Sequence, residues 1–253
     1  MNENKMFVLN NINKTYGETR ALSSLSLVVE KSEMIALIGP SGAGKTTLLN
    51  ILANTVQPDN GEVFVDGIEL NSYKSAKQFA DKVGIIRQQF DLVGQLAVIH
   101  NVLAGKLKDW GFFKALFSLI IPQDSKAAEK ALEKVGLKDK LYKRTSNLSG
   151  GEQQRVALAR LLVQKPQAVL ADEPVASLDP VRAEDILYTL TKLASEENQT
   201  VIASLHSVEY AKKYFNRIIA LKQGKIYFDF PVEKVTEELL SSLYSLEEVA
   251  HHE

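Results

Sequence analysis

The chain has 253 residues, of which 45% are hydrophobic and 24% charged, with a formal net charge of −1. These are ordinary values for a soluble globular protein with a sizeable core. The absence of cysteine excludes disulfides, thiolate metal sites and a cysteine nucleophile, and a near-neutral chain has no global basic field to recruit nucleic acid or anionic lipid. No stretch reaches the roughly 20 apolar residues of a membrane span, so work at a membrane requires a partner.

Residues 7–12, 25–29 and 61–66 read as short strands separated by turn signals, an antiparallel region near the N-terminus. Residues 34–38, Met-Ile-Ala-Leu-Ile, form a short apolar run that ends at a glycine, the pattern of a buried strand. Directly after it comes Gly39-Pro40-Ser41-Gly42-Ala43-Gly44-Lys45-Thr46, which matches the phosphate-binding pattern G-x-x-x-x-G-K-[ST]. Glycines let the backbone curl so that its N–H groups face phosphate oxygens. A helix over residues 45–54 adds its N-terminal partial charge. Lys45 can reach the β- and γ-phosphates, and Thr46 can ligate Mg²⁺.

The middle, residues 91–164, carries few strand signals and reads as a helical insertion into one domain. Residues 110–121 form an apolar helix broken only by Lys114 and Ser118, read mainly as core. Residues 124–135 place Ala127, Ala128, Ala131, Leu132 and Val135 on one helical face. Leu148-Ser149-Gly150-Gly151-Glu152 opens a further helix, with Ser149 as N-cap and Glu152 three residues on, as in a capping box. Two glycines just inside a helix cost stability. They make sense where a ligand must approach the backbone closely, and a helix start with bare N–H groups suits an anion.

Residues 168–171, Ala-Val-Leu-Ala, read as a buried strand ending in Asp172 and Glu173. Beside a phosphate loop, Asp172 would hold Mg²⁺ and Glu173 would orient the attacking water. A helix over residues 182–195 and a buried strand over 201–203 follow. Residues 217–227 form a hairpin turning at Gln223-Gly224, and residues 232–249 a terminal helix that packs back. Buried strands alternating with helices argue for an α/β fold with a mainly parallel sheet, flanked by the antiparallel region.

Leu148-Ser149-Gly150-Gly151-Glu152-Gln153 resembles the signature motif of the ATP-binding-cassette family, and the other motifs stand in that family's order over nearly the whole chain. The resemblance implies a phosphate-loop NTPase fold and an ATPase with ATP and Mg²⁺ as cofactors. It implies that Tyr16 stacks on adenine and that residues Gly39, Pro40, Ser41, Gly42, Ala43, Gly44, Lys45, Thr46 and Thr47 cradle the phosphates. Gln88 resembles the glutamine that senses Mg²⁺ and the attacking water, His206 the switch histidine at the γ-phosphate, and Ser177-Leu178-Asp179 the loop that bridges two subunits. By the same likeness Glu173, His206 and Gln88 are catalytic, and Thr46, Gln88 and Asp172 attend the metal. Ser149, Gly150, Gly151 and Asp179 complete the nucleotide site of a second subunit in a head-to-tail homodimer.

Residues 88–94 and 101–105, the helical segment from Trp110, and residues 170–180 resemble phosphonate-importer subunits. Arg87 departs from that pattern, where a phenylalanine is usual. The likeness implies permease subunits, a solute-binding protein and a place on the cytoplasmic face of the plasma membrane, with part of residues 110–121 shaping the groove for a permease helix. Residues 170–174 also resemble lipoprotein-release and macrolide-export subunits, but Val175-Ala176-Ser177 stands where those carry Thr-Gly-Asn. A cassette ATPase of DNA repair or translation is disfavoured by the absence of sustained heptads, by the single cassette and by the net charge.

Overall fold

The computed structural model describes residues 4–87, 90–118, 121–176 and 178–245. The strands are β1 (Lys5–Tyr16), β2 (Thr19–Glu30), β3 (Met34–Ile38), β4 (Asn60–Val65), β5 (Ile68–Glu69), β6 (Val83–Ile86), β7 (Ala168–Ala171), β8 (Thr200–Ser204), β9 (Arg217–Lys222) and β10 (Lys225–Pro231). The helices are α1 (Lys45–Leu52), α2 (Ala76–Ala80), α3 (Val98–Leu103), α4 (Phe112–Ser118), α5 (Ser125–Lys134), α6 (Gly150–Gln164), α7 (Pro180–Glu196), α8 (Val208–Tyr214) and α9 (Glu237–Tyr244).

Two sheets form. The larger runs β10-β9-β3-β8-β7-β6, with every pair parallel except the β9–β10 hairpin. Its central strands are covered on both faces, which is why their sequences are continuous apolar runs rather than alternations. Ile35 and Leu37 of β3, Leu170 of β7 and Ile202 of β8 face one core with α1 and the smaller sheet. Met34, Ala36 and Ile38, with Val169, Ala171, Val201 and Ala203, face a second core built on α3, α5, α6 and α7. The smaller sheet is antiparallel, in the order β2-β1-β4-β5.

Four sequence expectations need correction. β1 and β2 are not short: each spans 12 residues. Their polar residues obscured the period, because register shifts interrupt the β1–β2 pairing and Asn11 and Ser24 adopt left-handed φ of 52° and 49°. The first helix stops at Leu52 rather than 54, and Asn54 turns left-handed at φ 55°.

Residues 110–121 are not core. Trp110 is buried, but Phe112, Phe113, Leu116, Phe117 and Ile121 are exposed. The hairpin turn at Gln223 and Gly224 is as expected, with φ of 51° and 73°, the left-handed pair that matches strand twist. In the terminal segment, the helix is confined to α9, where Leu240 and Leu243 are buried; residues 246–249 lie outside the described residues.

Candidate functional site

β3 ends at Gly39, and the loop to α1 is shaped by what surrounds it. Gly39 has φ 144°, and a Cβ there would lie 2.1 Å from the carbonyl oxygen of Leu221 on β9. Gly44 has φ 103°, and a Cβ there would meet the Ala21 carbonyl oxygen at 2.5 Å. Both positions therefore demand glycine for conformation and for space. The loop is wedged between β9 and the β1–β2 hairpin, and Gly224 N–H donates to the Ala43 carbonyl at 3.1 Å. Pro40 and Ala43 close a turn, Ala43 N–H to Pro40 O at 3.2 Å.

Lys45 is buried, and its ammonium donates to the carbonyls of Gly39 at 2.7 Å and Pro40 at 3.0 Å. Burial pushes its pKa below the ordinary lysine value, against the charges of Glu173 and Asp172, which favour the ammonium. The cation thus sits inside the loop with two carboxylates facing it.

Those carboxylates come from the C-terminal end of β7. Thr46 Oγ1 donates to Asp172 Oδ1 at 3.2 Å, and Ser204 Oγ donates to the same oxygen at 2.8 Å. Ser204 Oγ also accepts from Glu173 N–H at 2.8 Å. Asp172 N–H is fixed to the Ile86 carbonyl at 2.9 Å. Glu173 has a left-handed φ of 49°, an uncommon state for a side-chain-bearing residue, and its carboxylate lies 2.6 Å from His206 Nε2. Lys45, Thr46, Asp172, Glu173 and His206, far apart in sequence, thus share one sheet edge at the C-terminal ends of β3, β7 and β8. Crevices at such strand ends are where open α/β sheets bind ligands.

Ser204 was not foreseen. Its signal was present: a polar residue ending an apolar strand, two before His206.

Tyr16 ends β1, is 48% exposed, and has the Lys14 ammonium 5.4 Å from its ring centroid. Its hairpin is the one pressed against Gly44. Ser41 and Thr47 lie in the loop and first turn of α1; Gly42 has φ 77° and open space beside it. Gln88 and Ser177 lie outside the described residues.

The Ser149–Gly151 turn is a complete capping box, with Ser149 N–H donating to Glu152 Oε2 at 2.8 Å and Glu152 N–H to Ser149 Oγ at 3.4 Å. The bond from Ser149 N–H holds the Glu152 carboxyl below its ordinary value, against a smaller desolvation effect. A Cβ at Gly150 would meet nothing within 4 Å, and one at Gly151 only Arg182 Cδ at 3.6 Å. Packing within the chain therefore does not require these glycines. Among the described residues no hydrogen bond or ion pair joins this turn to the 39–47 loop. Asp179 caps α7, accepting from Arg182 N–H at 3.1 Å.

α6 reaches further. Arg160 donates to the carbonyls of Asp91 at 2.9 Å and Phe90 at 3.1 Å, both residues with left-handed φ. Gln164 donates to the carbonyls of Ala80 at 2.9 Å and Val83 at 3.1 Å. Gln154 is fully buried, and both its amide atoms lack a partner among the described residues.

The family model described as "ABC transporter" matches residues 22–176. The chain belongs to the ABC transporter family. As an ABC cassette it binds ATP and couples ATP hydrolysis to transport. It is similar to the phosphonates import ATP-binding protein PhnC of Pseudomonas putida, 41% identical over 237 residues, 93% of this chain and 88% of the relative. It is similar also to the protein of that name from Lactococcus lactis subsp. cremoris, 38% identical over 96% of this chain and 100% of the relative. Among solved structures it resembles the dimeric ATP-binding cassette MJ0796 bound to ADP and Pi, with TM-score 0.75 and 33% identity, covering 90% of this chain and 99% of that one. A nucleotide-free ABC transporter cassette matches with TM-score 0.78 and 25% identity, covering 94% of each chain. Among the described residues no helix is long and apolar enough to cross a membrane.

Proposed function

We propose that this cassette powers the import of a phosphonate, phosphite or related organic phosphorus anion. The substrate class rests on the relatives of that name, similar over nine-tenths or more of this chain. The catalytic reading rests on one observation, the convergence of Lys45, Thr46, Asp172, Glu173 and His206 at one sheet edge. In it the 39–47 loop cradles the phosphates of ATP, with Lys45 leaving its two carbonyls for phosphate oxygens, and Tyr16 stacks on adenine.

Thr46 and Asp172 present two oxygens 3.2 Å apart, hard donors of the kind Mg²⁺ takes beside water and phosphate oxygens. They fit the ion, and the family likeness adds Gln88 to them; when bound, Mg²⁺ would neutralise charge on the β- and γ-phosphates. Glu173, held by Ser204 and His206, accepts a hydrogen bond from the attacking water and orients it. His206 then contacts the γ-phosphate.

The composite site needs a second copy. Gly150 and Gly151, which no packing among the described residues requires, let the α6 N-terminus of one subunit approach the γ-phosphate on the other, in a head-to-tail homodimer bridged near Asp179. A twofold interface completes two sites at once. The chain functions as one cassette with a helical insertion at residues 91–164, on the cytoplasmic face of the plasma membrane beside permease subunits and a solute-binding protein.

Glu173→Gln tests the reading. It removes the carboxylate and keeps the shape, so ATP binding should persist while turnover falls by roughly 10²-fold or more. An ATP-dependent dimer should accumulate by light scattering. Turnover at the wild-type rate would remove Glu173 from this role.

A further inference from the structure

We propose that α4 and the lysine-lined hollow beside it form a docking surface for an anionic lipid bilayer. Phe112 is 76% exposed, Phe113 83%, and Leu116, Phe117 and Ile121 each more than half. These side chains form an exposed apolar blade within ten residues. The blade is anchored at its base. Trp110 Nε1 donates to Asp124 Oδ2 at 3.2 Å, Lys114 pairs with the same oxygen at 3.2 Å, and Lys77 donates to the Trp110 carbonyl at 2.7 Å.

Charge supplies the second, independent observation. A hollow of about 280 Å³ beside α5 is lined by Lys106, Lys130, Lys134 and Lys165 over an apolar floor that includes Ala131 and Leu162. A neighbouring hollow shares Lys106 and Ala127 and adds Lys126 and Asp124, the residue that anchors α4. Five lysines thus meet three carboxylates, Asp124, Glu197 and Asp109, which pairs with Lys106 at 3.4 Å. Lys134 pairs with Glu197 at 3.5 Å, while Lys126, Lys130 and Lys165 make no ion pair among the described residues. On a chain of net charge −1 this is a local basic face, invisible to the overall balance.

Apolar rings next to cationic side chains suit a bilayer surface, with rings at the acyl boundary and ammonium groups among anionic headgroups. Charge favours lipid over protein: protein interfaces are depleted of lysine, whereas Lys126, Lys130 and Lys165 line this face. The inference rests on the reading of this cassette as one that works at a membrane.

The test is co-sedimentation of the full chain with extruded vesicles, alongside basal ATPase activity, for wild type, Phe112→Ser/Phe113→Ser and Lys126→Glu/Lys130→Glu. Neither pair touches the site residues, so ATPase activity should be unchanged. Wild type should bind phosphatidylglycerol-rich vesicles, lose binding as salt rises, and bind pure phosphatidylcholine far less. Each double variant should bind at least about tenfold more weakly. Equal binding to neutral and anionic vesicles, or variants that bind like wild type, would overturn the proposal. So would an active wild type that ignores vesicles, including one whose Phe variant loses self-association or permease co-purification instead, since the blade would then serve a protein. Loss of ATPase activity in the wild type would sink the catalytic reading without bearing on vesicle binding.

Discussion

Replacing Arg160 with methionine would cut the tie between α6 and the loop ahead of α3. Its guanidinium holds the carbonyls of Phe90 and Asp91, at 3.1 and 2.9 Å, and those residues have φ of 57° and 47°. Left-handed backbone costs a side-chain-bearing residue about 1–2 kcal/mol, so the loop keeps this form only while something holds it. A bond from a charged donor contributes about 1.5–3 kcal/mol. Water can replace the guanidinium at the more exposed Asp91 carbonyl, which leaves the Phe90 bond as the main loss. The net cost is about 2–3 kcal/mol, seen as a fall in Tm of roughly 4–10 °C for a chain of this size. Arg160→Lys keeps the charge without the fork and should lose about half as much.

Kinetics then separates scaffold from function. Gln88 and Gln89 directly precede Phe90, so a slack loop should lower kcat for MgATP by about 10- to 100-fold. KM, set by the 39–47 loop, should barely move. Asp91→Gly on the Arg160→Met background removes one left-handed penalty and should restore about 1 kcal/mol, with part of kcat. A full loss of Tm with kcat unchanged would reduce Arg160 to packing. An unchanged Tm would mean that the clamp carries no load.

Ser149→Arg should leave ATP binding intact and abolish the ATP-dependent dimer, whereas Ser149→Ala, which costs only the cap at about 1 kcal/mol, should still dimerise; light scattering distinguishes them. Gln154→Leu removes a fully buried amide without a partner among the described residues, an arrangement that costs about 1–3 kcal/mol, so Tm should rise, and a fall would show that the amide binds ordered water. Asp66 tests pH dependence. Burial pushes its carboxyl up, but hydrogen bonds and charge from Lys31 and Lys82, both at 2.6 Å, outweigh this and hold it below the ordinary aspartate value. A depressed folded-state pKa contributes stability above the unfolded pKa and loses it as pH falls through the folded one. Asp66→Asn should therefore lower the urea midpoint near pH 7, with the gap starting to close only as pH falls below about 4 and vanishing below the depressed folded-state pKa; a gap independent of pH would refute the ion-pair account.

The phosphate loop, the carboxylate pair at the end of β7 and the capped glycine turn could all be read along the chain. Each is local: a strand, a tight turn and a helix start within about ten residues, whose chemistry depends on residue type at fixed spacing. The buried strands were legible for a related reason. Being covered on both faces leaves a continuous apolar run, whereas β1 and β2 hid their length behind bulges and polar positions. What the order of residues could not state is which distant groups meet. Ser204 became the link between Asp172 and Glu173 only when β8 paired with β7. Arg160 became a clamp only when α6 packed over the loop after β6. The apolar run at 110–121 reads the same whether buried or bare, because burial depends on whether another element covers it; here Trp110 is covered and Phe112, Phe113, Leu116, Phe117 and Ile121 are not. Local chemistry follows from covalent neighbours, and the rest follows from packing between segments far apart in the chain.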